Sequence, residues 1–199
     1  MADEKWRRRD DRMFKRHEWL LELKSVYAPE DVIGRIEEEV LETEFDYLDL
    51  VSIQASELCH IRRDAEALAL LDRTIPMFPD DVRLPIERAG RLHFFTEDQD
   101  EALKAAELAA ERAKRTNRRV SEALRLKARI LVRLKRGEEL AQTLEDMIAL
   151  EPLQGVPDFG FERDFLDRAP PGLIPQDLVD RYLMVVRERR RKPVSKKDA

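Results

Sequence analysis

Apolar residues recur along most of this chain at intervals of three and four, the period of a helix with one buried face. Trp6, Phe14, Trp19, Leu20, Leu23 and Tyr27 predict a first helix over about 5–27, ended by Ala28-Pro29. Pro29-Glu30-Asp31 then opens a second helix, to about residue 43, with acids near its positive end. From there the pattern predicts helices over about 45–60, 64–77, 82–95, 100–115, 119–136 and 138–151. The breaks between them have local causes. Asp64, Asp80, Asp81, Asp98 and Asn117 are capping residues, Gly137 is expected to end a helix, and Pro79 and Pro152 lack the donor a helix needs. Pro76 falls where a last helical turn tolerates it. Such short connections make neighbouring helices pack antiparallel.

An internal period runs beneath these six helices. Ala55, Ala67, Leu71 and Pro79 stand at intervals of 12, 4 and 8, and Ala128, Leu140, Leu144 and Pro152 repeat those intervals. Ala89 lies 34 residues after Ala55, and Ala102 and Ala106 follow it at 13 and 4. This pattern resembles the tetratricopeptide repeat, a 34-residue helix-turn-helix unit with small residues where its two helices approach. The resemblance covers residues 45–152, room for three repeats. It has departures. The early aromatic position of the first helix holds Val51, Pro85 or Leu124; Lys114 stands near where the middle repeat expects Pro; and Leu140 replaces a small residue. What the resemblance implies is an all-α fold of antiparallel helix pairs stacked as a short α-solenoid.

After Pro152 the composition shifts. Residues 153–175 hold Gly155, Pro157, Gly160, Pro170, Pro171, Gly172 and Pro175, interleaved with Phe159, Phe161 and Phe165. They predict a loop with one helical turn near 162–167, its Phe residues plugging the open end of a helix stack. An aromatic loop that grips a ligand is the alternative. Leu178, Val179, Tyr182, Leu183 and Val186 then place a capping helix over about 176–190. The expected organisation is N-terminal helices in 1–44, three helix-pair repeats in 45–152, the loop and capping helix in 153–191, and a disordered tail in 192–199.

Composition narrows the class. Only Gly34, Gly90 and Gly137 occur before residue 155, too few for the tight turns of a β-sandwich, a phosphate-cradling loop or a dinucleotide fingerprint. The single Cys, Cys59, excludes an internal disulfide and a cysteine zinc framework. No apolar run exceeds five residues and the first residues carry no secretory pattern, so a cytoplasmic chain with no membrane segment is expected. The net charge of −5 disfavours nucleic acid as a partner. That charge is uneven: residues 30–49 carry nine acids against Arg35, while both ends of the chain are basic. Such runs mark solvated helix faces, or tails that dock on acidic partners.

No catalytic constellation stands out. His17, His60 and His93 are far apart in sequence, and Cys59-His60 point about 100° apart on a helix, so no metal pair or nucleophile–base pair is formed locally. The expectation is a protein that is not an enzyme and needs no cofactor or metal. In tetratricopeptide-like arrays the first helix of each pair lines a concave face. Carried over residue by residue, that implies Asp49, Ser52, Ser56, Cys59 and His60 in the first pair. In the second it implies Arg83, Ile86, Gly90, His93 and Phe94, and in the third Glu122, Arg125, Arg129, Val132 and Arg133. Arg125, Arg129 and Arg133 make one stripe at four-residue steps, suited to bidentate capture of carboxylates. Gly90, costly inside a helix, suggests close approach of a backbone or a ligand, or tight helix packing. The chaperone-tail clamp of the family is not carried over, because Ser52 and Ser56 stand where it uses Lys and Asn.

The expected function is a protein–protein interaction module binding a peptide or protein segment, acidic in character, in this groove. Two other classes compete: nucleic-acid binding through the Arg stripe and basic ends, and a small-ligand or enzyme domain built on His60, His93 and the Phe-rich loop. Partner identity and oligomeric state have no signature in the chain.

Overall fold

A computed structural model describes residues 44–150 and 164–191 of the chain. The helices expected over 5–27 and 30–43, Phe159, Phe161 and the tail 192–199 lie outside the described residues. Every described element is helical, with no strand. The chain divides into two compact units, Met1–Thr74 and Ile75–Ala199.

In the first unit α1 (Glu44–His60) is followed by α2 (Asp64–Thr74), and the two pack together. Ala55, Ala67 and Leu71 are fully buried, and Val51, Leu58 and Cys59 join them. The small side chains let the helix backbones approach. The helix expected over 64–77 ends at Thr74, where the Thr74 hydroxyl donates to Leu70 O at 2.8 Å.

The second unit begins with a 3₁₀ turn, Ile75–Met77, since Pro76 cannot supply the next α-helical N–H. Four helices follow: α3 (Arg83–Phe95), α4 (Gln99–Thr116), α5 (Val120–Leu134) and α6 (Gly137–Ala149). Each packs on the next, and α3 also touches α5 directly. The close approach comes from α4, whose buried positions are Ala102, Ala105, Ala106, Ala109, Ala110 and Ala113 besides Leu103. Asp98 caps α4 by accepting from Glu101 N–H at 2.9 Å, and Asp81 does the same for Leu84 N–H at 2.8 Å at the start of α3. From α4, Arg112 donates to Phe78 O at 3.1 Å, Asp81 O at 3.3 Å and Ile75 O at 3.4 Å, pinning the segment that leads into α3.

Residues 164–168 form consecutive turns rather than the expected single helical turn. Phe165 within them is 2% exposed and meets Tyr182 of α7 (Gln176–Arg191) at 6.0 Å between ring centres. Phe165 thus acts as a core plug. Pro171 and Gly172 then occupy the centre of a β-turn closed by Leu173 N–H to Pro170 O at 3.1 Å. Gly172 takes φ 79°, the left-handed value a type II turn demands at this position. α7 packs on α6.

The positions that recur in the sequence share one environment. Ala55, Ala67 and Leu71, Ala89, Ala102 and Ala106, and Ala128, Leu140 and Leu144 all have zero exposure. Two of the three helix pairs are also joined alike. Seven residues after Ala55 and Ala128, Arg62 and Lys135 adopt φ 64° and 58°. The bonds around them match as well: Arg63 N–H to Leu58 O and Arg62 N–H to Cys59 O, then Arg136 N–H to Leu131 O and Lys135 N–H to Val132 O. Both are Schellman ends built without glycine. Gly137, expected to end a helix, instead opens α6. A Cβ there would overlap Leu173 O, so the glycine makes room for the Pro170–Leu173 turn.

The middle pair is joined differently. Seven residues after Ala89 stands Thr96, in extended conformation at φ −125° and ψ 163°. The interval between the buried small residues, Ala89 to Ala102, is 13 here against 12 from Ala55 to Ala67 and from Ala128 to Leu140. His93 and Gln99 meet at this connection.

Candidate functional site

His93, at the last turn of α3, is buried. Its Nδ1 lies 2.8 Å from Oε1 of Gln99, the first residue of α4. Gln99 Nε2 donates to Thr96 O at 3.0 Å and to His93 O at 3.3 Å, so its Oε1 must accept. His93 Nδ1 therefore carries a proton in the neutral ring.

Cations surround this pair. Arg133 of α5 donates to His93 O at 2.9 Å and reaches Glu97 at 3.4 Å. Arg129, one turn earlier, pairs with Asp164 at 3.0 Å. That pair is incomplete, since Arg129 Nε and Asp164 Oδ1 are buried without a hydrogen-bond partner. Arg168 is exposed and joins Arg133 and Arg129 in opposing charge on His93. Burial is the main cause holding His93 below the ordinary imidazole value, the three guanidinium groups add to it, and the bond to Gln99 works against it. Of the two balancing acids, Glu97 has a side chain 98% exposed, where water screens it.

An aromatic edge adjoins the cations. Phe94 is 59% exposed, with its ring centre 4.7 Å from that of His93 in an edge-to-face arrangement. Phe95 is 50% exposed, and the Arg91 guanidinium lies over its ring at 5.9 Å. Phe rings left in water beside guanidinium groups form an apolar and cationic surface, a composition found at protein interfaces.

The structure brings His93, Phe94, Arg129 and Arg133 of the sequence-predicted residues together in the second unit. Arg125 shares their stripe, is half-buried and has interactions of its own. Arg83 stands at the opposite end of α3, paired with Asp81 at 3.1 Å. Gly90 faces open space, with nothing within 4 Å of where a Cβ would stand, so close helix packing is not its role. Ser52, Ser56 and His60 lie on one face of α1 in the first unit, with Ser52 and Ser56 half-buried. His60 is exposed, its Nδ1 3.4 Å from Glu57.

Gln99, Glu97, Asp164 and Arg168 were not singled out in the sequence. For Gln99 a signal existed: the interval of 13 between Ala89 and Ala102 where the other repeats have 12. Asp164 and Arg168 reach the site by a long-range fold of the chain that no local pattern encodes.

Among the described residues no group of His, Cys, Asp and Glu could hold a metal ion, and no helix is long and apolar enough to cross a membrane. Comparison with protein-family models, with curated proteins and with solved structures finds no match to this chain.

Proposed function

We propose that the protein is a non-enzymatic interaction module of tetratricopeptide-like helix pairs, which binds an acidic protein segment at the corner formed by α3, α5 and residues 164–168. The observation that carries this reading is Arg133 bonded to the His93 carbonyl, with Arg129 one turn away tied to the 164–168 turns through Asp164 and the exposed Phe94 ring set against His93. Guanidinium forks match carboxylates bidentately, and Phe94 offers an apolar contact for a side chain between them. The fully buried repeat positions support the repeat identity. The reading narrows the groove expected from the sequence to its Arg133 end.

The test uses the full chain and a fluorescein-labelled peptide Glu-Glu-Asp-Phe-Glu-Glu, followed by anisotropy at low salt. Arg168→Glu combined with Phe94→Ala is expected to weaken binding about tenfold with helicity unchanged, because both side chains are exposed. Arg129→Glu is a poor choice, since it would set a carboxylate against Asp164. Absence of peptide binding at low salt would refute the proposal. So would equal affinity for a lysine-rich control or for a single-stranded oligonucleotide of the same length.

A further inference from the structure

His93 is buried at the centre of this corner, and among the described residues the charges acting on it come from two neighbouring elements. From α5 come Arg129 and Arg133, and from the 164–168 turns comes Arg168. The acids Asp164 and Glu97 sit on Arg129 and Arg133. From α4 the neighbour is the uncharged Gln99, and from α3 itself the Phe94 ring. The ring therefore meets cations and neutral groups, with its acids already paired to arginines.

We infer that an acidic ligand at this corner is bound together with a proton on His93, so that binding tightens as the pH falls from 8 to 6. This rests on the acidic-segment reading above. The chemistry needs no rearrangement on the Gln99 side. Nδ1–H donates to Gln99 Oε1 in the neutral ring and goes on donating in the imidazolium, so only Nε2 gains a proton. What opposes that proton in the free protein is burial and three guanidinium groups. A ligand carboxylate at Arg133 and Arg168 offsets part of their field and makes the imidazolium less costly. Linkage is reciprocal: if the anion favours the proton, the proton favours the anion by the same factor. With charges separated by several ångströms at a partly screened surface, the coupling is about three- to tenfold in affinity.

The experiment is the anisotropy titration of the full wild-type chain with Glu-Glu-Asp-Phe-Glu-Glu at pH 8, 7 and 6 and constant ionic strength. The peptide's carboxylates stay ionised over this range. Wild type is expected to bind more tightly at pH 6 than at pH 8, by up to about threefold, since the full coupling is reached only below the depressed value of free His93. His93→Asn, whose amide N–H can take the place of Nδ1–H, is expected to bind with little pH dependence. Circular dichroism at each pH establishes that both remain folded. Binding with the same affinity at all three pH values would overturn the inference while leaving the acidic-segment reading intact. An unchanged slope in His93→Asn would do the same, by assigning the proton to another group. No binding at any pH removes both. Should the variant fail to fold, the His93 ring resonances of wild type decide the matter: their midpoint must move upward when the peptide is added, and a fixed midpoint overturns the coupling.

Discussion

The same substitution, Gly to Ala, is expected to act with opposite sign at two helix positions of the second unit. Gly90 lies within α3, and an added Cβ would meet nothing within 4 Å. Removing a helix-interior glycine then acts through backbone entropy alone and stabilises by about 1 kcal/mol. Gly137 opens α6, where an added Cβ would overlap the carbonyl oxygen of Leu173. That atom is backbone and cannot swing away. The turn carrying it is held by buried Phe165 on one side and buried Ile174 on the other. Either α6 or the turn must shift, at a cost of about 1–3 kcal/mol, typical of overpacking. The two variants should therefore differ by about 2–4 kcal/mol. Urea unfolding of the full-length variants, followed by circular dichroism and compared by midpoint at unchanged slope, measures the difference. If Gly137→Ala were as stable as Gly90→Ala, the close passage of the Pro170–Leu173 turn over α6 would be wrong.

Three further outcomes are expected. Arg112→Ala, by stranding the carbonyls of Ile75, Phe78 and Asp81, should cost about 2 kcal/mol in urea unfolding, whereas Lys104→Ala, an exposed pair with Glu101, should cost under about 0.5 kcal/mol; equal losses would refute the pinning role. Lys135→Gly should stabilise by about 1 kcal/mol, because Lys135 is held at φ 58°, and a drop in the melting midpoint would contradict that geometry. Because His93 is held below the ordinary 6.5 in the folded chain, the unfolded chain takes up its proton first, so its contribution is complete above about pH 6.5 and is lost as the pH falls toward the folded value; His93→Asn should flatten that part of the stability profile, and an unaltered profile would assign it elsewhere.

Most helix positions were readable from the chain alone, and the reasons are local. The regular spacing of small and apolar residues between Ala55 and Leu144, with Asp98 as a cap, places the described helices within a few residues of their observed limits. Most of the failures occur where a residue answers to something distant. Gly137 reads as a helix terminator until Leu173 is found against it. The helix expected over 64–77 shortens because Pro76 leaves the final turn in 3₁₀ form. Arg112 gives no sign in the sequence of serving three carbonyls more than thirty residues away. For the site, the positions of His93, Phe94 and Arg133 follow from repeat register. Asp164 and Arg168 do not, since they belong to a segment with no periodicity.

The site arises where the repeat is irregular, and the irregularity explains its chemistry. In the first and third pairs, a left-handed residue and a two-bond end turn the chain directly into the next helix. That closure satisfies its own carbonyls, leaving the helix end little to offer another group. In the middle pair Thr96 is extended, and the carbonyls of His93 and Thr96 are met by side chains instead. Buried carbonyls need donors. Gln99 supplies one set from α4, and Arg133 supplies another from α5. Gln99, once committed as a donor to both carbonyls, has only its oxygen to give His93, and this sets the ring's proton on Nδ1. Arg133, drawn in by the carbonyl, comes with its positive charge, and Arg129 and Arg168 join it around a ring that burial already keeps neutral. The end of α3 thus draws Gln99 and Arg133 to one point because its carbonyls are not closed by the chain that follows. Deleting Glu97, which brings the Ala89–Ala102 interval to the 12 of the other pairs, is expected to part Gln99 from His93, read as loss of a slowly exchanging His93 Nδ1–H resonance; persistence of that resonance would refute it.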